Sequence, residues 1–263
     1  MSTKYLDVNR QLWNKKTPIH LKSDFYELED FKKGKSTLKS IELELLGDVQ
    51  GKSILHLQCH FGQDSMSLSR MGAKVTGLDI SDVAIDEAKK LNEELGLDTK
   101  FVCADVYSAK EHIEEKFDIV FTTYGTIGWL PNMDKWADIV SHFIKPDGKF
   151  LFVEFHPTVW MFDDNFKNIS FSYFNIEPIV EESSGTYAQQ DAEIQMEEVG
   201  WNHSLSEVFT SLMDKGLKIS HFKEYDYSPH NCFKNMEERA SDEFIITSIG
   251  DKLPMCYSLV MHF

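Results

Sequence analysis

Residues 54–64, ILHLQCHFGQD, gather two imidazoles, a thiol, an amide and a carboxylate into a stretch that opens as an apolar run and closes as a turn. Such a set could bind a metal, activate a nucleophile or cradle a ligand, and the three chemistries make different demands. A zinc site needs ligands at spacings that converge. His56 lies inside the apolar run and Cys59 at its end, and no second cysteine or carboxylate stands at ligand spacing, so no metal is expected. A nucleophilic Cys59 needs a lowered pKa and a base, and a helix N-terminus after the turn supplies only the first. A dinucleotide loop needs G-x-G-x-x-G for close approach to a pyrophosphate, and only Gly62 is present. What remains is a tight loop feeding a helix N-terminus, whose free amides suit a polar or anionic ligand group.

Two more acids follow the same logic. Asp79, 17 residues beyond Gly62 in GLDIS, can accept two hydrogen bonds from a ribose diol. Asp105, before Val106 in CADV, is placed to accept from an adenine amino group beside an apolar contact. Alone, each reads equally well as a helix cap; in register with the first loop, they point to one ligand.

These residues need an open parallel sheet, because there a ligand lies across the carboxyl ends of the strands. The chain alternates accordingly. Strands are expected at 52–58, 73–81, 100–105 and 117–123, with a fifth at 149–155 after a Pro146-Asp147-Gly148 turn. Helices are expected at 63–72, 82–96 and 133–144; the second is capped by Ser81 and buries Ala84, Ala88, Leu91 and Leu95. After residue 156 the rhythm breaks into an aromatic, acidic and partly alternating segment, suited to antiparallel strands or a cover over a pocket. It resumes with a helix at 205–216 and strands at 217–225 and 254–263. The expected organisation is an N-terminal helical lid at 1–50, with Leu38, Ile41, Leu45 and Leu46 packed beside the first strand. A cofactor-binding core at 51–156, an inserted cover at 157–202 and the C-terminal part of the core at 203–263 complete it.

With these motifs in place, the chain resembles the class I S-adenosylmethionine-dependent methyltransferases. ILHLQCHFG aligns with their first motif, a strand, an acid and Gly-x-Gly-x-Gly; it keeps Cys59 and Gly62 but puts His56 at the acid and Gln58 and His60 at two glycines. The run LHLQCHFGQD is similar to that of a subgroup carrying this variant. GLDIS, CADV and FDIVFTTYGTIGWL resemble the second motif, the third and the segment after strand four. The resemblance spans roughly 50–155 and 203–263. It implies an α/β fold with a seven-stranded Rossmann-like sheet, mostly parallel with the last strand antiparallel, and S-adenosyl-L-methionine as cofactor. It also implies roles. The backbone from Gln58 through Cys59 and His60 to Gly62 packs against the methionine part, Asp79 binds the ribose with Ile80 against the adenine, and Asp105 and Val106 hold the other adenine edge. Thr122 and Thr123 lie near the amino-acid end, with Ile127 closing over it. With His56 at the usual acid, Asp64 or the first helix must serve the ligand's ammonium group. Trp13 and Tyr26 are the expected lid contacts.

Methyl transfer from a sulfonium is an in-line displacement whose leaving group needs no acid, so alignment and a dry pocket are the main requirements. An oxygen or nitrogen nucleophile can still need a base. His156, immediately after the fifth strand, and His203, after the acidic segment, are the candidates, each also readable as a pocket wall or a capped histidine. Tyr124, Trp129, Trp160 and Tyr173 could wall an apolar substrate site.

The net charge of -16, from 27 basic against 43 acidic residues, argues against a polyphosphate partner. No Lys or Arg occurs between Asn168 and Asp214; this stretch is either a solvated acidic face or a mouth favouring neutral or cationic substrates. The Asn-Pro-Pro-Tyr motif of base and glutamine N-methyltransferases is absent. A small molecule methylated at oxygen, nitrogen or carbon is therefore expected, with a non-catalytic cofactor-binding sensor or scaffold as the alternative. The four scattered cysteines suggest reduced thiols, no apolar run approaches a membrane span, and the N-terminus lacks a signal-like stretch, so a cytoplasmic location is expected.

Overall fold

The computed structural model describes residues 4–263. Three helices, α1 (Lys4–His20), α2 (Leu28–Lys32) and α3 (Ser40–Leu46), lead into β1 (Ser53–Leu57). Alternation then gives α4 (Gln63–Arg70), β2 (Lys74–Asp79), α5 (Asp82–Glu94), β3 (Lys100–Cys103), β4 (Phe117–Thr123), α6 (Met133–Phe143) and β5 (Ile144–Phe155). The chain continues through β6 (Ile179–Ser184), β7 (Gln195–Gly200), α7 (Leu205–Met213), β8 (Lys218–Tyr225), β9 (Met236–Ala240), β10 (Glu243–Ile246) and β11 (Cys256–His262). Helix starts carry their caps. The Ser81 hydroxyl accepts from Ala84 N, Asn132 Oδ1 from Lys135 N and Ser204 Oγ from Glu207 N, each interaction worth about 1 kcal/mol.

Seven strands form one sheet in the order β3-β2-β1-β4-β5-β11-β8. β1 through β5 pair in parallel, and β11 runs antiparallel to both β5 and β8. Alternate side chains feed two cores. Leu55, Leu57, Phe150 and Phe152 face one side with Trp136 of α6 and Val208 of α7. Ile54, Phe121, Leu151 and Val153 face the other with Ile41 and Leu46 of α3. Strand order reverses between β1 and β4, which puts the crevice at the loops after these two strands.

Two local expectations are corrected. Pro146-Asp147-Gly148 does not turn away before the fifth strand; β5 begins at Ile144 and runs through it, with an irregular register against β4 between Phe117 and Ile119. Gly148 permits this, since a Cβ there would lie 2.9 Å from Asp118 O, and Lys145 Nζ ties the segment to Asp118 Oδ2 at 3.0 Å. Between β8 and β11 the chain adds an antiparallel hairpin, β9 with β10, that periodicity did not indicate.

β6 and β7 form a separate antiparallel pair within residues 157–202. This pair is tied to α1: Asn9 Nδ2 donates to Val199 O at 2.8 Å, Val199 N donates back to Asn9 Oδ1 at 3.1 Å, and Lys16 Nζ lies 3.3 Å from Glu198 Oε2. No helix among the described residues is long and apolar enough to cross a membrane.

Candidate active site

A cavity of about 680 Å³ opens at the carboxyl ends of β1, β2, β4 and β5, between α1 and the β6–β7 pair. Its size is that of a small-molecule site. Its floor is the loop after β1. Gln58 and His60, which stand where glycines would be expected, have φ values of 58° and 51°, and Gly62 follows at 78°. The left-handed backbone of a glycine-rich loop is thus retained with side chains in place, at a cost of about 1–2 kcal/mol per non-glycine residue. Tertiary contacts supply the compensation. His60 N donates to Asp79 Oδ2 at 2.8 Å, Cys59 N to Leu78 O at 3.0 Å, and Gln58 Nε2 to Thr126 O at 2.8 Å. Gly62 is irreplaceable on packing grounds, because a Cβ there would sit 2.4 Å from Phe101 Cε1.

The donors of this loop leave one acceptor over. Thr126 O can only accept, so the Gln58 amide nitrogen must face it, and Oε1 is left buried with no partner among the described residues. An unpaired buried acceptor costs about 1–3 kcal/mol unless a ligand donor fills it. In the first turn of α4, half-buried Asp64 accepts from Thr37 Oγ1, and desolvation raises its pKa. Asp79 is also buried; Ser81 N donates to its Oδ1 at 2.9 Å. Burial raises its carboxyl while the amides of Ser81 and His60 pull it down. Asp105 is raised by burial too, and with Ile80 and Val106 it lines the same cavity.

Most of the residues singled out from sequence meet here: Trp13, Tyr26, Gln58, Cys59, His60, Gly62, Asp64, Asp79, Ile80, Asp105, Val106, Thr123, Ile127 and His203 all line the cavity. Two do not. Thr122 is fully buried and its hydroxyl donates to Leu57 O at 3.0 Å, because alternate residues of a strand face opposite sides and Thr123 takes the cavity side. His156 turns away from the cavity; its Nε2 lies 3.1 Å from Glu224 Oε1 of β8, and Thr158 N donates to its Nδ1. His203 reaches the cavity wall with Nε2 donating to Leu130 O at 2.7 Å and Nδ1 3.1 Å from Glu207 Oε2 without a hydrogen bond. Cys59 is buried, with Sγ against Gly77, and burial pushes its thiol pKa up, which removes it as a nucleophile. His56 is neutral at ordinary pH, its pKa lowered by burial to about 3, and pairs with Ser65 Oγ at 2.8 Å.

Glu154, Phe155, Tyr187 and Phe233 line the cavity without having been singled out from sequence, whereas Tyr124, Trp129 and Trp160 were expected as wall residues and line it too. Glu154 is buried near the end of β5 and accepts from Thr126 N (2.8 Å), Thr126 Oγ1 (2.9 Å), Ile127 N (3.3 Å) and also Gly125 N, so it fixes the loop after β4. Its signal was visible as a single charge inside KFLFVEF. Tyr124 follows β4 with its hydroxyl donating to buried Glu42 at 2.8 Å. Tyr187 bonds its hydroxyl to that of Tyr26 across the cavity. Rings then follow one another along the wall: Tyr124 to Phe155 at 5.8 Å, Phe155 to Phe233 at 5.0 Å and Phe233 to Trp160 at 5.5 Å. Trp129 stands edge-to-face with Trp13 at 5.5 Å, and the Lys16 ammonium lies 5.4 Å from the Trp13 ring centroid and 5.5 Å from that of Trp129. Tyr173 does not line the cavity; Leu205 N donates to its hydroxyl. Both readings of the acidic stretch find a place, since exposed acids crowd β6 and β7 while Glu181 and Glu198, paired across the strands, line the cavity.

Residues 54–148 match a family model described as a methyltransferase domain. The chain is 30% identical over 152 residues to a ubiquinone biosynthesis O-methyltransferase of Coxiella burnetii, a match covering 57% of this chain and 58% of that protein. The chain thus spans less than two thirds of the length of the curated relatives it matches. Among solved structures, an S-adenosylmethionine-dependent methyltransferase of Clostridium acetobutylicum superposes with a TM-score of 0.58 at 16% identity, over 93% of this chain and 94% of that one. The DhpI–SAH complex gives a TM-score of 0.58 at 16% identity, over 100% and 98%. The fold is that of the class I methyltransferases. Residues 54–148 thus match a methyltransferase domain, within a fold shared with S-adenosylmethionine-dependent methyltransferases.

Proposed function

We propose that the protein transfers a methyl group from S-adenosyl-L-methionine to a hydroxyl oxygen of a neutral, ring-containing small molecule, not to a nucleic acid. The observation that carries this reading is one cavity with two chemically different halves. Asp79, Ile80, Asp105 and Val106 offer acceptors and apolar contact for a nucleoside, whereas Tyr124, Phe155, Trp160 and Phe233 offer ring faces. Similarity to ubiquinone biosynthesis O-methyltransferases supports the choice of oxygen, while similarity over 107 residues to an uncharacterized RNA methyltransferase of Clostridium acetobutylicum makes RNA the competing acceptor. The net charge of -16 supports the exclusion of a polyphosphate partner.

The residues fit the cofactor. Asp79 would accept from the ribose hydroxyls through its remaining lone pairs, Asp105 would accept from the adenine amino group, and Ile80 and Val106 would sandwich the base. Gln58 Oε1, the orphaned acceptor, would take the ammonium group with Asp64 nearby, while Thr123 and Ile127 would flank the amino-acid end. Trp13 and Tyr26 would close the lid. The bound cofactor supplies an activated methyl on a sulfonium whose departure leaves a neutral thioether. The chain's part is to hold the acceptor in line, keep water out with its aromatic wall, and receive the acceptor's proton.

Calorimetry with S-adenosylhomocysteine, NAD and zinc in parallel tests the reading. Homocysteine-ligand binding alone is expected, and Asp79→Asn, which keeps one carbonyl oxygen for the loop amides, should weaken it more than tenfold by removing charge-assisted bonds of about 1.5–3 kcal/mol. Tight NAD binding without S-adenosylhomocysteine binding would sink the proposal. Cofactor binding with no transfer to any hydroxylated acceptor would leave a binding protein in its place.

A further inference from the structure

His230 lies in the loop between β8 and β9 and lines the cavity. Its backbone is fixed by a serine clamp: Ser228 Oγ donates to His230 O at 2.7 Å and accepts from His230 N at 3.1 Å. Ser228 is itself fully buried and exchanges both backbone hydrogen bonds with Phe244 of β10, at 2.8 Å each. The ring is held edge-on to Tyr124 with centroids 4.8 Å apart, and 5.9 Å from Phe25. Neither ring nitrogen bonds another described residue. Each of the other cavity histidines has one ring nitrogen bonded: His56 Nδ1 to Ser65, His60 Nε2 to Thr17 at 3.5 Å and His203 Nε2 to Leu130 O. Tyr124 is the residue directly after β4, so its partner His230 stands beside the segment that Glu154 fixes around the amino-acid end of the cofactor half.

We propose that His230 is the general base that takes the acceptor's hydroxyl proton, an assignment that rests on the methyl-transfer reading above. The acceptor oxygen forms its bond to the methyl carbon as the carbon–sulfur bond breaks and its electron pair stays on sulfur. The hydroxyl proton passes to the free imidazole nitrogen and afterwards to solvent. One positive charge is present in the cavity before the step, on the sulfonium, and one after it, on the imidazolium, so the lining carboxylates serve both states.

Burial, more than the Lys39 ammonium, lowers the imidazole pKa to about 3, so the ring is neutral before the step and takes the proton only as the oxygen, bonding to the methyl carbon, becomes a stronger acid than the imidazolium. Lys39 is bonded to Asp242, which acts in the opposite direction. The other titratable groups near the ring are Tyr124, bonded to Glu42, and Cys232, whose pKa is pushed up to about 12. Neither carries a charge of its own at neutral pH.

Catechol and 4-nitrocatechol serve as probe acceptors, with S-adenosylhomocysteine calorimetry on every variant. In the wild type, kcat for catechol should vary little between about pH 6 and 9, since the base is already deprotonated. His230→Gln should bind S-adenosylhomocysteine and melt as the wild type does, yet lose about 100-fold or more in kcat for catechol at neutral pH. The residual rate should rise about tenfold per pH unit, because reaction then depends on ionisation of the acceptor, and the more acidic nitro compound should recover most of the loss. A His230→Gln enzyme with wild-type kcat, or one equally impaired on both probes with no change in pH slope, overturns the assignment. Wild-type protein that binds S-adenosylhomocysteine but methylates neither probe overturns the hydroxyl acceptor and His230 together. Failure to bind S-adenosylhomocysteine overturns the underlying reading instead.

Discussion

Glu42 is a carboxyl on α3 with 1% of its surface exposed, and it props the cavity wall through Tyr124. Burial is the largest influence on it, and nearby Asp64 adds repulsion; together they push its pKa from the ordinary 4.5 to about 7, against the opposing bonds from Lys39 N and Tyr124. The native state therefore prefers the protonated form. Its contribution to stability is complete below about pH 4.5 and is lost as pH rises to about 7, the folded value. At about 1.4 kcal/mol per tenfold, that is about 3 kcal/mol. Glu42→Gln keeps the shape, keeps an oxygen for the Tyr124 hydroxyl, and cannot ionise. Urea unfolding of both proteins at a series of pH values should show the variant gaining on the wild type by about 3 kcal/mol between about pH 4.5 and 8, with most of the change complete near neutrality. Taking the difference cancels titrations the two proteins share. A gap that stays within about 0.5 kcal/mol across that range, or moves the other way, would refute the assignment of a neutral buried carboxyl.

Gln58→Gly should leave stability nearly unchanged, since relief of left-handed strain of about 1–2 kcal/mol offsets loss of the bond to Thr126 O. The same substitution should weaken S-adenosylhomocysteine binding about tenfold, and unchanged affinity by calorimetry would remove Gln58 from the cofactor site. Gly62→Ala combines positive φ with a Cβ 2.4 Å from Phe101 Cε1, and should cost about 2–4 kcal/mol in urea unfolding. A Phe101→Leu background should restore the overpacking part, and simple additivity of the two changes in a double-mutant cycle would show that no clash exists.

The βα alternation was legible because each step from strand to helix carries its own signal: an apolar run, a cap such as Ser81 and a stop such as Gly96. The strand-end acids were legible for the same local reason, since a parallel sheet exposes the residue after each strand. What failed needed knowledge of neighbours distant in sequence. Thr122 and Thr123 are chemically alike, and only the pairing with β1 decides which one faces the cavity. His156 follows its strand as Asp79 ends its own, yet Glu224 on β8 draws it to the other side. His230 sits in an irregular loop, where no periodic rule assigns a direction to a side chain. In the β9–β10 hairpin β9 is largely exposed and charged and β10 is Glu243 followed by a short apolar run, so neither carries an alternation to read.

The loop after β1 has a consequence for the order in which the molecule acquires its activity. A glycine-rich loop can visit left-handed conformations by itself, but Gln58 and His60 are held there by partners 68 and 19 residues away along the chain. The loop therefore takes its shape only when β2 and β4 have both docked against β1. A partly folded chain cannot present a half-built nucleoside site, and cofactor affinity becomes a report on completion of the central sheet, with ligand stabilising the finished fold and no earlier state.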